Sequence, residues 1–348
     1  MAQYISFQPS DFFTNFQYSG DSSSPRAFTG FGFQPDLIYE YKRNVNANKY
    51  FFDSVRGVGS GTAKQLEGNN TAVQSTQTNM IQSFDADGFT QGSDMNATST
   101  NYGSFTWKAG TTSGISGGTI TPTSYSINTT SGVGIYAFTG TGSAGTIAHG
   151  LGKAPSLVCI KCLDSDGAWV LWGNGLDGGT NYLLWNDTDT QNTNSAYYAT
   201  APTDTVISIG NGGAINGAPQ LYIMYCFTNT PGFSKCGRYN GNGNVNGPYI
   251  YTGFRPAWFF MKNISTSSNW TAFNNISNLT NEVYTSIDMN VTNDEDSDLG
   301  YNDVDFLATG VKIREDNNDL NKSNDKFLYA AFAEFPTVSS NDVPGVAR

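Results

Sequence analysis

The residues able to do chemistry are few and scattered. The four cysteines are Cys159, Cys162, Cys226 and Cys236, and the first two form CIKC. That spacing makes redox or zinc motifs when it opens a helix or sits on a knuckle. Here it lies inside SLVCIKCL, an apolar, β-branched run that predicts a strand. Residues three apart on a strand face opposite ways, so the two thiols cannot share a metal. There is no second CxxC, and the expectation is structural cysteines. A Cys226–Cys236 disulfide stays open, because spacing does not decide pairing.

His149 is the only histidine. A Ser-His-Asp or Cys-His site would have to use it, yet it sits in AHGLGKAP at the start of a predicted strand, with no Gly-x-Ser-x-Gly elbow in a strand-to-helix context. Glycan hydrolysis needs two facing carboxylates, and the strand pattern Glu-x-Asp-x-Glu is missing. Acidic residues cluster instead in NDEDSDLGYNDVD (Asn293–Asp305). Asp294, Asp296 and Asp298 alternate there ahead of Gly300, but the glycine offset is wrong for an EF-hand and no Glu closes the loop. A solvated loop is the primary reading and a Ca²⁺ site the alternative. In FDSVRG the arginine, Arg56, could pair with Asp53 or anchor a loop, with ligand binding the lesser reading. Trp169, Trp185 and Trp270 could stack on sugar rings, but Trp169 and Trp270 recur at one repeat position, which favours a core role. No catalytic, cofactor-binding or metal residue is assigned, and no cofactor is expected.

These residues sit in a chain of 348 with 38% apolar and 14% aromatic content, enough to bury sizeable cores. Only 14% of residues are charged, well under the roughly 25% of ordinary domains. The surface polarity must come from Asn, Ser, Thr and Gly, as in extracellular and virion proteins. The net charge is −11 with no basic stripe, which disfavours nucleic acid. Residues 1–16 lack a secretory signal pattern and no run is long enough to span a membrane, so release by lysis as part of a particle is expected. Ten Asn-x-Ser/Thr sequons, among them Asn69, Asn263 and Asn290, are attributed to chance in an Asn- and Thr-rich chain.

The elements that must position these residues repeat. With Pro35, Pro155 and Pro256 as origins, Gly32, Gly152 and Gly253 stand three residues before, and Tyr18, Phe138 and Tyr239 seventeen before. Gly20, Gly140 and Gly241 stand fifteen before; Phe52, Trp172 and Phe273 stand seventeen after. Position fourteen after holds Trp169 and Trp270, but Lys49 breaks the pattern in the first copy. Tyr102, Tyr222 and Phe327 each precede a large aromatic by five residues: Trp107, Phe227 and Phe332. Short runs of Val, Ile, Tyr, Phe and Trp between Gly, Asn, Asp and Pro predict strands throughout. Thr71–Phe84 comes nearest to a helical period and is read as one short helix. The result is an all-β chain of three tandem small β-sandwich or jelly-roll modules, 1–110, 133–230 and 231–348 with a C-terminal tail. A Ser/Thr/Gly linker at 111–132 joins the first two. The Gly-x-Gly of YNGNGNVNGPYIYTGF (Tyr239–Phe254) belongs to this repeat and reads as strand punctuation rather than a phosphate cradle, for want of a following helix.

FDSVRG (Phe52–Gly57), DGF (Asp87–Phe89), WKAG (Trp107–Gly110), TGTGSAGTIAHGLGKAP (Thr139–Pro155), GFSKCGRYNGNGNVNGPYIYTGFRPA (Gly232–Ala257) and YAAFAEFP (Tyr329–Pro336) together resemble a family of tailed-phage structural proteins with lectin-like, concanavalin A-type jelly rolls. The resemblance implies a virion component: a tail fibre, tail appendage or capsid-decorating protein. Its expected partners are other virion proteins, further copies of itself and host-surface carbohydrate. A polysaccharide depolymerase and a non-viral lectin or adhesin are the alternatives.

Overall fold

The structure, a computed structural model, describes residues 8–59, 62–298 and 300–333. The chain is nearly all β and forms three pairs of antiparallel sheets. The first pair comprises β1 (Phe13–Ser19), β2 (Arg26–Thr29), β3 (Leu37–Lys42), β4 (Tyr50–Asp53), β5 (Val58–Gly59), β6 (Thr62–Glu67), β7 (Ser75–Gln77), β8 (Ile81–Asp85), β9 (Gly88–Gln91) and β10 (Asn101–Trp107). Its large sheet runs β1-β10-β3-β4-β6-β5, with β7 on β6, and its small sheet runs β2-β9-β8.

The second pair comprises β11 (Ser124–Asn128), β12 (Val133–Thr139), β13 (Gly145–Ala148), β14 (Pro155–Cys162), β15 (Val170–Gly173), β16 (Asn181–Leu184), β17 (Asn192–Thr193), β18 (Val206–Ile209) and β19 (Leu221–Thr228). The large sheet is β11-β12-β19-β14-β15-β16-β17 and the small one β13-β18. The third comprises β20 (Ser234–Asn240), β21 (Tyr249–Tyr251), β22 (Trp258–Asn263), β23 (Trp270–Asn274), β24 (Ser286–Asp288), β25 (Val304–Leu307), β26 (Gly310–Ile313) and β27 (Lys326–Phe332). Its sheets are β20-β27-β22-β23-β24 and β21-β26-β25.

The repeat positions occupy equivalent places. Gly32, Gly152 and Gly253 all take positive φ, +72°, +70° and +88°, the left-handed turn that releases the chain into β3, β14 and β22. Rows of paired residues match: Phe13–Trp107–Leu37, Val133–Phe227–Leu157 and Ser234–Phe332–Trp258. Near the other strand ends, Tyr18 stacks on Tyr102 at 4.9 Å, Phe138 on Tyr222 at 5.3 Å and Tyr239 on Phe327 at 4.8 Å.

Two sequence expectations change. Thr71–Phe84 is not helical: Ser75–Gln77 adds to β6, and Ile81 begins a strand of the small sheet. Its apolar residues are too few to make a helical stripe, whereas β6 and β9 offer open backbone partners. The segment 111–132 carries β11, pairs Thr111 with Ile127, and lays Ile120 and Ile127 into the second unit's core. The tail from 334 onward lies outside the described residues.

Each large sheet is covered on both faces. One face packs on its own small sheet: Ile38, Phe52 and Phe89 in the first unit, Val158, Trp172 and Ile207 in the second, Phe259, Phe273 and Val311 in the third. The other face meets the other two large sheets in one shared core containing Leu37, Tyr39, Leu157, Cys159, Trp258 and Phe260. Burial on both faces explains why these strands read as mostly apolar runs rather than alternating ones, Glu40 being the buried exception in β3.

Candidate functional site

The cysteines divide as strand geometry requires. Cys159 points into the shared core and Cys162 into the second unit's own core. Cys226 lies in the second unit's core, Cys236 in the shared one, and all four are free thiols. Burial raises the Cys159 and Cys226 pKa values strongly and pushes Cys236 up to about 12, so these three are not poised nucleophiles.

His149 is fully buried. Its Nδ1 accepts the Leu151 N–H at 3.2 Å, so the proton sits on Nε2, which faces the Thr203 carbonyl at 3.0 Å. Burial lowers its pKa, and the neutral ring serves as a bridge between β13 and the segment preceding β18. Arg56 pairs with Asp53 through Nε at 2.5 Å, and the Tyr225 hydroxyl donates to the same carboxylate at 2.7 Å. Arg56 also donates to the Phe51 and Lys64 carbonyls. The cluster is buried and ties the first unit to the second.

Trp169 and Trp270 are buried and do the same kind of joining. Trp169 Nε1 donates to the Glu67 carbonyl of the first unit at 3.0 Å, and Trp270 Nε1 to the Leu184 carbonyl of the second at 3.0 Å. Lys49, at the same repeat position, closes the circle: its Nζ donates to the Val291 and Asn293 carbonyls of the third unit at 2.6 and 2.9 Å. The backbone N–H of each of the three is held by an equivalent asparagine, Asn69, Asn186 or Asn290, at 2.8 Å. Six residues beyond the repeat prolines, Tyr41, Lys161 and Lys262 repeat the circuit. They reach Glu295 at 2.8 Å, the Thr71 carbonyl at 3.1 Å and the Thr188 carbonyl at 3.1 Å. Each unit thus reaches into one neighbour, and three head-to-tail contacts close a ring within one chain. Burial pulls Lys49, Lys161 and Lys262 down to about 8.

The acidic run contributes to this closure. Glu295 accepts from Arg43 at 2.8 Å as well as from Tyr41, and the Asp294 N–H donates to Asn46 Oδ1 at 3.0 Å. Asp305 pairs with Arg314. Asp294 and Asp298 are exposed, Asp296 half-buried, and Leu299 lies outside the described residues. Among the described residues no three His, Cys, Asp or Glu side chains are grouped to hold a metal ion.

Composition hid a second set of recurring groups: three fully buried asparagines, Asn96, Asn216 and Asn321. Each Oδ1 accepts the N–H of the residue after a repeat glycine, from Asp21 at 3.2 Å, Thr141 at 2.9 Å and Asn242 at 2.8 Å. Each Nδ2 donates to a carbonyl further along the same loop, those of Ser23, Ser143 and Asn244 at 2.8, 2.7 and 2.8 Å. The glycines allow the close approach: a Cβ on Gly20, Gly140 or Gly241 would lie 2.0, 2.3 or 2.1 Å from a carbonyl oxygen. Several sequon asparagines, including Asn69, Asn263 and Asn290, are buried in such bonds.

These stapled loops follow β1, β12 and β20, at the end of the ring opposite the Trp107–Phe227–Phe332 row. The described chain ends lie at that row instead: Phe12 packs on Phe233, and Ala333 N–H bonds the Phe233 carbonyl. Inside the shared core a cavity of about 40 Å³, lined by Leu157, Trp169, Leu171, Phe227 and Trp258 among others, presents no polar surface to orient a ligand.

The chain belongs to the family described as a domain of unknown function (DUF7483), whose match covers residues 8–336 and so all three sheet pairs. No curated protein and no solved structure matches the chain.

Proposed function

We propose that this chain is a non-catalytic structural and binding component of a phage particle's exterior, a tail fibre, tail appendage or head-decorating protein. The observation that carries the reading is how its reactive side chains are used. Lys49, Lys161, Lys262, Arg56, Asp53, Tyr225 and Glu295 are engaged in joining one unit to the next. What faces outward is a set of Asn-, Ser- and Gly-rich loops held rigid by buried asparagines.

The ring also has two unlike ends. Both described chain ends leave beside the aromatic row, and the stapled loops stand at the other end. That polarity suits attachment to a particle at one end and contact at the other. Exposed Val45, Val73, Leu221 and Val245 belong to the loop end, where a partner would cover them. The partners proposed are neighbouring virion proteins, further copies of this chain and host-surface glycan. Weak contacts by the loops gain strength when copies are clustered.

Gradient-purified particles from a lysate of the producing host, analysed by peptide mass spectrometry, should contain the chain. Abundance in the soluble lysate with absence from the particles would overturn the reading.

A further inference from the structure

The chain contains six Asn-Gly pairs: Asn174–Gly175, Asn211–Gly212, Asn216–Gly217, Asn240–Gly241, Asn242–Gly243 and Asn246–Gly247. In such a pair the glycine amide nitrogen, on losing its proton, can attack the asparagine Cγ. A ring forms between that nitrogen and the carbonyl carbon, ammonia leaves, and water reopens the succinimide to aspartate or isoaspartate. Glycine favours the attack because no Cβ hinders it. A hydrogen bond from the glycine N–H opposes it, since the proton must leave and the nitrogen must turn toward the side chain.

The fold treats the six pairs differently. Gly212 N–H donates to the Ala196 carbonyl at 2.7 Å, Gly241 to Asp325 at 2.8 Å and Gly243 to Asn321 at 2.8 Å. Gly217 N–H donates to the Tyr222 hydroxyl at 2.7 Å. The amides of Gly175 and Gly247 have no hydrogen-bond partner among the described residues. Asn174 and Asn246 are both exposed, and their carboxamides are likewise unengaged among the described residues, whereas that of Asn242 is bonded to Asn246 and Asn321. Three of the pairs fall within one eight-residue stretch, so local sequence cannot explain different fates for Asn242 and Asn246.

We propose that Asn174 and Asn246 are modification sites, converted spontaneously through the succinimide, and that the fold protects the other four pairs. Each event exchanges a neutral amide for a carboxylate. At Asn246 the new charge falls on the stapled loop of the third unit; at Asn174 it falls beside the aromatic row.

The test is incubation of the intact folded protein at mildly alkaline pH and 37 °C, followed by peptide mapping with isoaspartate detection, beside a parallel sample in denaturant. In denaturant all six pairs should convert. In the folded protein, Asn174 and Asn246 should convert while Asn211, Asn216, Asn240 and Asn242 lag at least about fivefold, the factor of one net hydrogen bond. Conversion of Asn240 or Asn242 in the fold at the rate of Asn246 would overturn the proposal. So would an intact Asn174 and Asn246 in folded protein whose denatured form converts.

Discussion

Trp107 and Phe332, from the first and last repeats of the chain, meet edge to face with ring centroids 5.5 Å apart. Phe227 completes the triangle, 5.9 Å from Trp107 and 5.3 Å from Phe332. The repeat position five residues after Tyr102, Tyr222 and Phe327 is therefore where all three large sheets touch. Trp107→Ala should cost about 3–5 kcal/mol, as for large aromatics in other cores. A double-mutant cycle of Trp107 with Phe332 should return about 0.5–1.5 kcal/mol of coupling. Urea unfolding followed by fluorescence reads both, and zero coupling would contradict the shared core.

Lys49 does by charge what Trp169 and Trp270 do by indole N–H. Lys49→Met strands the Val291 and Asn293 carbonyls and should cost about 1–3 kcal/mol at pH 7. The folded pKa of about 8 lies below the ordinary 10.5. Between those values the unfolded chain holds more protons, so this lysine makes stability rise with pH. Buried thiols oppose that only above about 9, their unfolded value. Urea midpoints from pH 8 to 9 should therefore rise for the parent and rise less for Lys49→Met.

Glu40 is the opposite case. It is wholly buried in the first unit, where the Tyr18 hydroxyl donates to its Oε1 at 2.8 Å and its Oε2 has no hydrogen-bond partner in the described structure. Burial pushes its pKa up from 4.5 to about 8. The folded state then holds a proton that the unfolded state has lost, so stability is lost as pH rises from about 4.5 to 8. Glu40→Gln should flatten that decline and exceed the parent in urea midpoint at pH 8. Equal midpoints there would contradict a lone buried carboxyl.

Asn216→Ala removes bonds to Thr141, Ser143 and Gly210 together. The expected loss is about 2–4 kcal/mol, from more than one stranded buried group. Hydrogen exchange should quicken at Thr141 and leave Asp21 and Asn242, held by Asn96 and Asn321, unchanged. Uniform quickening across the three loops would contradict independent stapling.

Much of this fold was legible. The prolines, the aromatic pairs and the left-handed glycines kept their offsets because each has one place in a strand-to-strand turn. The CIKC strand followed from local pattern alone, and the Asp53–Arg56 pair was one of the roles that pattern left open for the arginine. Less visible was that the repeats are not separate beads. The mostly apolar, non-alternating runs of β3, β14 and β22 carried that signal, since a sheet exposed on one face would alternate. Lys49 looked like a break in the repeat because its role rests on a donor at the right distance, which Trp and Lys both supply. Asn96, Asn216 and Asn321 were hidden because asparagine is common throughout the chain and only their bonds to the loop after each repeat glycine mark these three.

The three repeats close into one body through a shared core and three head-to-tail contacts. Residues 133–230 expressed alone test that closure most directly, by amide NMR dispersion and sedimentation. That fragment would expose Leu157, Cys159, Trp169, Leu171 and Tyr225, all buried against other units in the whole chain. The fragment should aggregate or disperse poorly, beside a well-dispersed, cooperatively unfolding full chain. A soluble, monomeric fragment with native dispersion would contradict it.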